Sequence, residues 1–142
     1  MADTVRGQLL RHAESDSPAI LYDDLSISWR DYVEGANLRA GVLSGMLDPV
    51  RPRHVATLLE NTPEMLFALA AGAFAGHVTV GLNATRRGEG LARDVRTSEC
   101  QVILTDSELR PLLDGLDLGE VSIIDTDSDE WKEMVSSSSP PQ

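Results

Sequence analysis

A single cysteine, Cys100, and a single lysine, Lys132, stand among the 142 residues of this chain. One cysteine cannot close an internal disulfide or build a multi-cysteine metal site, and it suits a reducing compartment. Aromatic residues are scarce as well, at 4% of the sequence, and comprise Tyr22, Trp29, Tyr32, Phe67, Phe74 and Trp131. The core must therefore come mainly from Leu, Val, Ile and Ala, which bury less area per residue, so a marginal core or one that wants a covering partner is expected. No stretch approaches the ~20 apolar residues that span a bilayer. Residues 1–11 include Asp3 and no apolar run of leader length, so no transmembrane segment and a cytoplasmic location are expected.

Positive charge is the other shortage. The formal net charge is −11, and residues 106–133 carry ten acidic side chains against only Arg110 and Lys132. That field repels phosphate backbones and anionic lipid headgroups, so nucleic acid is not an expected partner. The apolar fraction of 42% and charged fraction of 25% are those of an ordinary globular chain, and one domain is the expectation for this length.

What is present alternates. Val5, Leu9 and Leu10 fall at helical spacing over 5–12, and Ser15 to Pro18 end that helix. Residues 19–22 and 25–29 flank Asp23-Asp24 as a hairpin. Ser28, with Asp31 three residues on, predicts a capped helix running to Leu47. Residues 54–59 form a short apolar run suited to the middle of a parallel sheet. Thr62, Pro63 and Glu64 then mark a helix start as cap, first-turn proline and dipole partner. That helix is apolar nearly all round up to Gly76, which predicts burial on more than one side. Strand signals over 78–82, 102–104 and 121–124 alternate with helix signals over 86–99, after a capping box of Thr105 and Glu108, and after one of Asp127 and Glu130. The pattern predicts an α/β fold whose alternating strands and helices form a mostly parallel sheet over 1–135, followed by a disordered Ser/Pro tail over 136–142.

In such a sheet nucleotide phosphates sit on glycine-rich turns after strands. Neither GxGxxG nor GxxxxGK[ST] follows Leu59, Leu82, Leu104 or Ile124. His12, His54 and His77 lack a second ligand at i+3 or i+4, so structural or solvated histidines are expected. Cys100 opens a strand and reads as a buried inert thiol, and no GxSxG elbow presents a serine nucleophile. Arg86, Arg87, Arg93 and Arg96 form the one basic cluster. An anion site there is weighed against a solvated face balanced by Glu89, Asp94 and Glu99, and the second is favoured. No catalytic, cofactor-binding or metal-binding residue is nominated.

Several segments taken together carry a family resemblance: Pro18-Ala19-Ile20, the hairpin into Ser28-Trp29-Arg30-Asp31, the run 54–64 containing Asn61-Thr62-Pro63-Glu64, the Ala-Gly-rich 71–76, Val80-Gly81-Leu82-Asn83, and 100–106 ending in Thr105-Asp106. Over residues 2–131 the chain resembles adenylate-forming (AMP-binding) acyl-CoA ligases, and within them the fatty-acyl-CoA ligase branch. The resemblance implies an incomplete N-terminal part of the ligase large domain. It implies a parent chemistry in which ATP and Mg2+ activate a carboxylic acid to an acyl adenylate that then passes to the thiol of coenzyme A. The family's Ser/Thr/Gly-rich phosphate loop, its adenine and ribose motifs and its C-terminal lysine have no counterpart in this sequence. The expectation is a chain that binds none of these cofactors alone and is not catalytic, whether from an interrupted reading frame or as an excised piece. Its expected partner is the remainder of the ligase, or a separately encoded catalytic half that it complements, with self-association through severed sheet edges as a further expectation.

Overall fold

The structure is a computed structural model that describes residues 4–141. Ala2 and Asp3, used above in the resemblance and against a leader, and Gln142 of the tail lie outside the described residues. Helix α1 (Val5–Leu10) starts where Thr4 Oγ1 accepts a hydrogen bond from Gly7 N at 3.0 Å. Strands β1 (Pro18–Tyr22) and β2 (Leu25–Ser28) pair antiparallel, and Asp23 takes a left-handed φ of 51° in the turn between them. Helix α2 (Trp29–Met46) begins where Ser28 Oγ accepts from Asp31 N at 3.1 Å.

Strand β3 (His54–Leu58), helix α3 (Pro63–Ala75), strand β4 (Val78–Gly81), helix α4 (Gly88–Ser98), strand β5 (Val102–Thr105), a 3-10 turn (Arg110–Leu113), strand β6 (Ser122–Asp125) and helix α5 (Asp129–Ser136) follow. The four strands of the main sheet are all parallel, in the order β4-β3-β5-β6. The alternating sequence and the α/β fold class hold, with element ends shifted by a residue or two.

The pleat of the central strands feeds two cores. Val55, Val102 and Leu104 point to one face, against Ala36, Ala40 and Leu43 of α2, Ala70 and Ala71 of α3 and Trp131 of α5. Ala56, Leu58 and Ile103 point to the other, against Leu91 and Val95 of α4 and Leu113. Small residues bring α2 and α3 together: a Cβ on Gly35 would lie 2.6 Å from Phe67 Cε1. The same joint holds a partly buried ion pair, in which Arg39 Nε donates to Glu64 Oε2 at 3.1 Å while its guanidinium lies 3.9 Å from the Phe67 ring centroid. Tyr32 Oη adds a 2.8 Å bond to the Leu66 carbonyl. Gln101, buried before β5, clamps the 48–52 loop by donating to the carbonyls of Asp48 and Pro52 at 3.0 and 2.9 Å and accepting from Asp48 N at 2.7 Å.

Three expected caps are corrected. Thr105 does not cap the turn after β5. It is buried, and its hydroxyl donates to the Leu58 carbonyl at 2.9 Å, so Asp106 Oδ1 takes the role by accepting from Leu109 N at 2.8 Å. Ser128, not Asp127, caps α5, accepting from Trp131 N at 3.1 Å. Asp127 is occupied with Ser107 N at 3.0 Å. Thr62 precedes Pro63 as expected, yet its hydroxyl makes no cap bond. Of the terminal serines, Ser136 closes α5 and Ser138 Oγ donates to the Leu38 carbonyl of α2 at 2.6 Å.

Candidate functional site

The C-terminal ends of β3, β4 and β5 open onto a crevice of about 430 Å³, the place where ligands bind in open α/β sheets. Each strand contributes the residues that follow it: Glu60, Asn61 and Thr62 after β3, Asn83 to Thr85 after β4, and Asp106 and Glu108 after β5. Tyr22 of the hairpin closes one side. The N-terminus of α3 meets the crevice through Thr62. That hydroxyl is shielded from solvent and unpartnered, so the first amides of α3 lack a side-chain cap there.

Three of the other polar side chains, Asn83, Thr85 and Asp106, serve their own turns. Asn83 Oδ1 accepts from Thr85 N at 2.9 Å and from Thr85 Oγ1 at 2.7 Å, closing the loop after β4 on itself. Asp106 is committed to Leu109 N. Beside it Ser107 donates to Asp125 Oδ2 at 2.8 Å, and Asp125 Oδ1 accepts from Asp127 N at 2.9 Å. No Lys, Arg or His lines the crevice, while Glu60, Asp106 and Glu108 do.

A nucleotide triphosphate needs donors and cations turned toward it, and the residues present supply carboxylates and closed turns instead. They do not fit ATP. Among the described residues no group of three His, Cys, Asp or Glu side chains converges as a metal set.

The residues weighed in the sequence do not converge either. His12 stacks on Trp29 with ring centroids 4.6 Å apart, and His54 Nδ1 lies 2.7 Å from the Ser98 carbonyl. Burial pushes the Cys100 thiol above its ordinary pKa, which keeps it protonated and unreactive. In the arginine cluster, Arg86 Nε pairs with Asp94 at 2.8 Å, Arg96 pairs with Glu89 and with the Asp117 carbonyl, and Arg87 donates to the Ala84 carbonyl. The balanced solvated face is the arrangement the structure shows.

His77 carries a feature the sequence did not signal. It is 7% exposed, both its ring nitrogens are shielded and without a partner, and burial beside Arg53 lowers its pKa to about 4. Its spacing to other polar residues gives no hint of this, because its burial depends on where α3 crosses β4.

Residues 9–142 match the family described as AMP-binding enzyme. The medium/long-chain-fatty-acid–CoA ligase FadD17 of Mycobacterium tuberculosis is 40% identical over 132 residues, which cover 93% of this chain and 25% of that protein. The steroid-22-oyl-CoA synthetase of Rhodococcus jostii is 45% identical over 92 residues, 65% of this chain and 16% of that protein. Among solved structures, the N-terminal domain of FACL13 from Mycobacterium tuberculosis superposes with a TM-score of 0.86 at 21% identity, covering 99% of this chain and 38% of that one. The chain spans about a quarter of the length of the curated FadD17 relative it matches. No helix among the described residues is long and apolar enough to cross a membrane. With the family's match running from residue 9 to 142, the chain belongs to the AMP-binding enzyme family, and among that family's members it is similar to fatty-acid–CoA ligases.

Proposed function

We propose that this chain is the N-terminal scaffold of a fatty-acid–CoA ligase and has no adenylation activity by itself. In the complete enzyme ATP and Mg2+ would convert a carboxylic acid to an acyl adenylate, and coenzyme A would take the acyl group. The chain's own contribution is sheet, helices and the floor of a crevice, and the phosphate-binding groups come from polypeptide beyond it.

The observation that carries this reading is the crevice at the ends of β3, β4 and β5, which is lined by carboxylates and self-closed turns and by no cation. Transition-state stabilisation in phosphoryl and adenylyl transfer rests on preorganised donors and metal aimed at developing charge, and a scaffold without them supplies none. The test is ATP–pyrophosphate exchange with medium- and long-chain fatty acids, run on the purified chain and on the chain mixed with the remainder of a FadD17-type ligase. Exchange at buffer level alone and ligase-level exchange on mixing support the reading. Ligase-level exchange by the chain alone overturns it.

A second reading, favoured by the exposure of Leu66 (41%) and Leu69 (47%) on α3, is a free-standing module that complements a separately encoded catalytic half. Uncovered apolar side chains on an otherwise buried helix suit association with another body.

A further inference from the structure

Strand β6 and helix α5 border a cleft that the scaffold reading does not use. It measures about 360 Å³ and shares no lining residue with the crevice at the ends of β3, β4 and β5. Met46 of α2 and Met134 of α5 give it a flexible apolar wall. Trp131 borders it as well. That side chain is 1% exposed, and its indole Nε1 is shielded from solvent with no acceptor among the described residues. A sealed donor without an acceptor is costly, and native folds seldom leave one without a reason.

The cleft also holds one cation and one anion that nothing else claims. Arg110 of the 3-10 turn and Glu130 in the first turn of α5 both line it, and neither side chain has a hydrogen bond or ion pair with a described residue. Asp125 lines it too, but its oxygens are taken, Oδ2 by Ser107 Oγ at 2.8 Å and Oδ1 by Asp127 N at 2.9 Å.

The backbone adds a matched donor and acceptor. Ser122 N donates to the Gln101 carbonyl and Thr126 N to the Thr105 carbonyl. By strand alternation the N–H and C=O of Ile123, another lining residue, therefore turn away from β5.

We propose that this cleft binds a free α-amino acid with a large apolar side chain. Its carboxylate meets Arg110 and the Ile123 N–H and supplies the acceptor that Trp131 Nε1 lacks, its ammonium meets Glu130 and the Ile123 C=O, and its side chain lies on the Met46–Met134 wall. A plain carboxylate is disfavoured, because residues 106–133 carry ten acidic side chains against two basic ones, and Asp125 and Glu130 stand in the cleft itself. A plain amine leaves Arg110 and the indole N–H unanswered, and a neutral apolar molecule leaves both charges so. A zwitterion gives the field no net charge to repel and pairs every group that the cleft leaves free. The volume is that of a small-molecule site, with an apolar wall and a few polar groups that fix orientation. The proposal goes beyond the scaffold reading and does not depend on it.

The test titrates the 15N-labelled chain with L-leucine and L-phenylalanine and follows its amide and indole N–H resonances. Two analogues of leucine, each lacking one charged group, are titrated beside them: 4-methylpentanoate without the ammonium and 3-methylbutylamine without the carboxylate. The variants are Arg110→Gln and Glu130→Gln, both at exposed, unpaired side chains, so the fold is kept and circular dichroism checks it. The expected result is a dissociation constant below about 1 mM for both amino acids, with the analogues at least about tenfold weaker and leucine binding at least about tenfold weaker in each variant. The Trp131 indole resonance should move with leucine while that of Trp29, stacked on His12, stays still. Four outcomes each overturn the proposal: no binding of either amino acid up to about 10 mM, an analogue that binds as tightly as leucine, unchanged leucine affinity in either variant, or a Trp131 resonance that does not respond.

Discussion

At the residue scale the most consequential side chain is one whose chemistry stays silent at neutral pH. His77 is neutral in the fold because burial and the neighbouring Arg53 guanidinium both disfavour its charged form, lowering its pKa from 6.5 to about 4. Above pH 6.5 the imidazole is neutral in folded and unfolded chains alike and contributes no pH dependence. Between pH 6.5 and 4 the unfolded chain binds a proton that the fold refuses, so stability falls as pH falls, by at most about 1.4 kcal/mol per pH unit. Urea unfolding of wild type and His77→Phe at pH 7.5 and pH 4.5 measures this directly. The wild type should lose roughly 2–3 kcal/mol more than the variant across that interval, and equal losses would contradict it. Gly72 belongs to the same joint: a Cβ there would lie 2.6 Å from Thr79 Oγ1 and 3.4 Å from His77 Nε2, so only glycine lets α3 sit this close to β4.

At the element scale the helix starts separate into those closed by a side chain, at α1, α2 and α5, and those that are not, at α3 and α4. Ser28 and Ser128 each accept a backbone amide three residues on, at 3.1 Å in both cases. Thr62 stands at the same kind of position and accepts none, with its hydroxyl shielded and unpaired. Ser28→Ala and Ser128→Ala should each cost about 1 kcal/mol, whereas Thr62→Ala should be close to neutral, since the bond that a cap contributes is absent there. Thermal denaturation of the three variants checks the contrast, and a Thr62→Ala loss as large as the serine losses would contradict it. Helix α3 holds its start through Pro63 and the Arg39–Glu64 pair, and its end through Gly76 in the left-handed region at φ 75°.

At the scale of the whole molecule, two cores share one sheet. Leu43 and Leu91 are both fully buried, on opposite faces of it. Their replacement by alanine should cost about 2–5 kcal/mol each. Because β3 and β5 belong to both layers, unfolding should stay a single transition. Trp29 and Trp131 both lie on the Leu43 side, so their fluorescence reports that layer while circular dichroism reports the whole chain. Coincident midpoints in Leu91→Ala are expected, and a dichroism transition that precedes the fluorescence one would show the layers unfolding separately. The helix α3 that the sequence marks for burial on more than one side is covered along Phe67, Ala70, Ala71 and Phe74 and open along Leu66 and Leu69.

Sequence by itself determined the element order, the parallel character of the sheet, the family, and the absence of a phosphate loop, because these depend on local signals: Pro63 at a helix start, Gly76 at its end, apolar runs of strand length, and a motif that is or is not written. The caps at Thr105 and Asp127 were misplaced on the same local evidence, since whether a hydroxyl or carboxylate closes a turn depends on what competes for it. Thr105 is claimed by Leu58 across the sheet, and Asp127 by Ser107 twenty residues away. Only the tertiary structure decided the order β4-β3-β5-β6, the burial of His77 with both ring nitrogens shielded, and the commitment of Asn83 and Asp106 to their own turns. Those are properties of pairs of segments far apart in the chain, and burial and pairing exist only once both partners are in place.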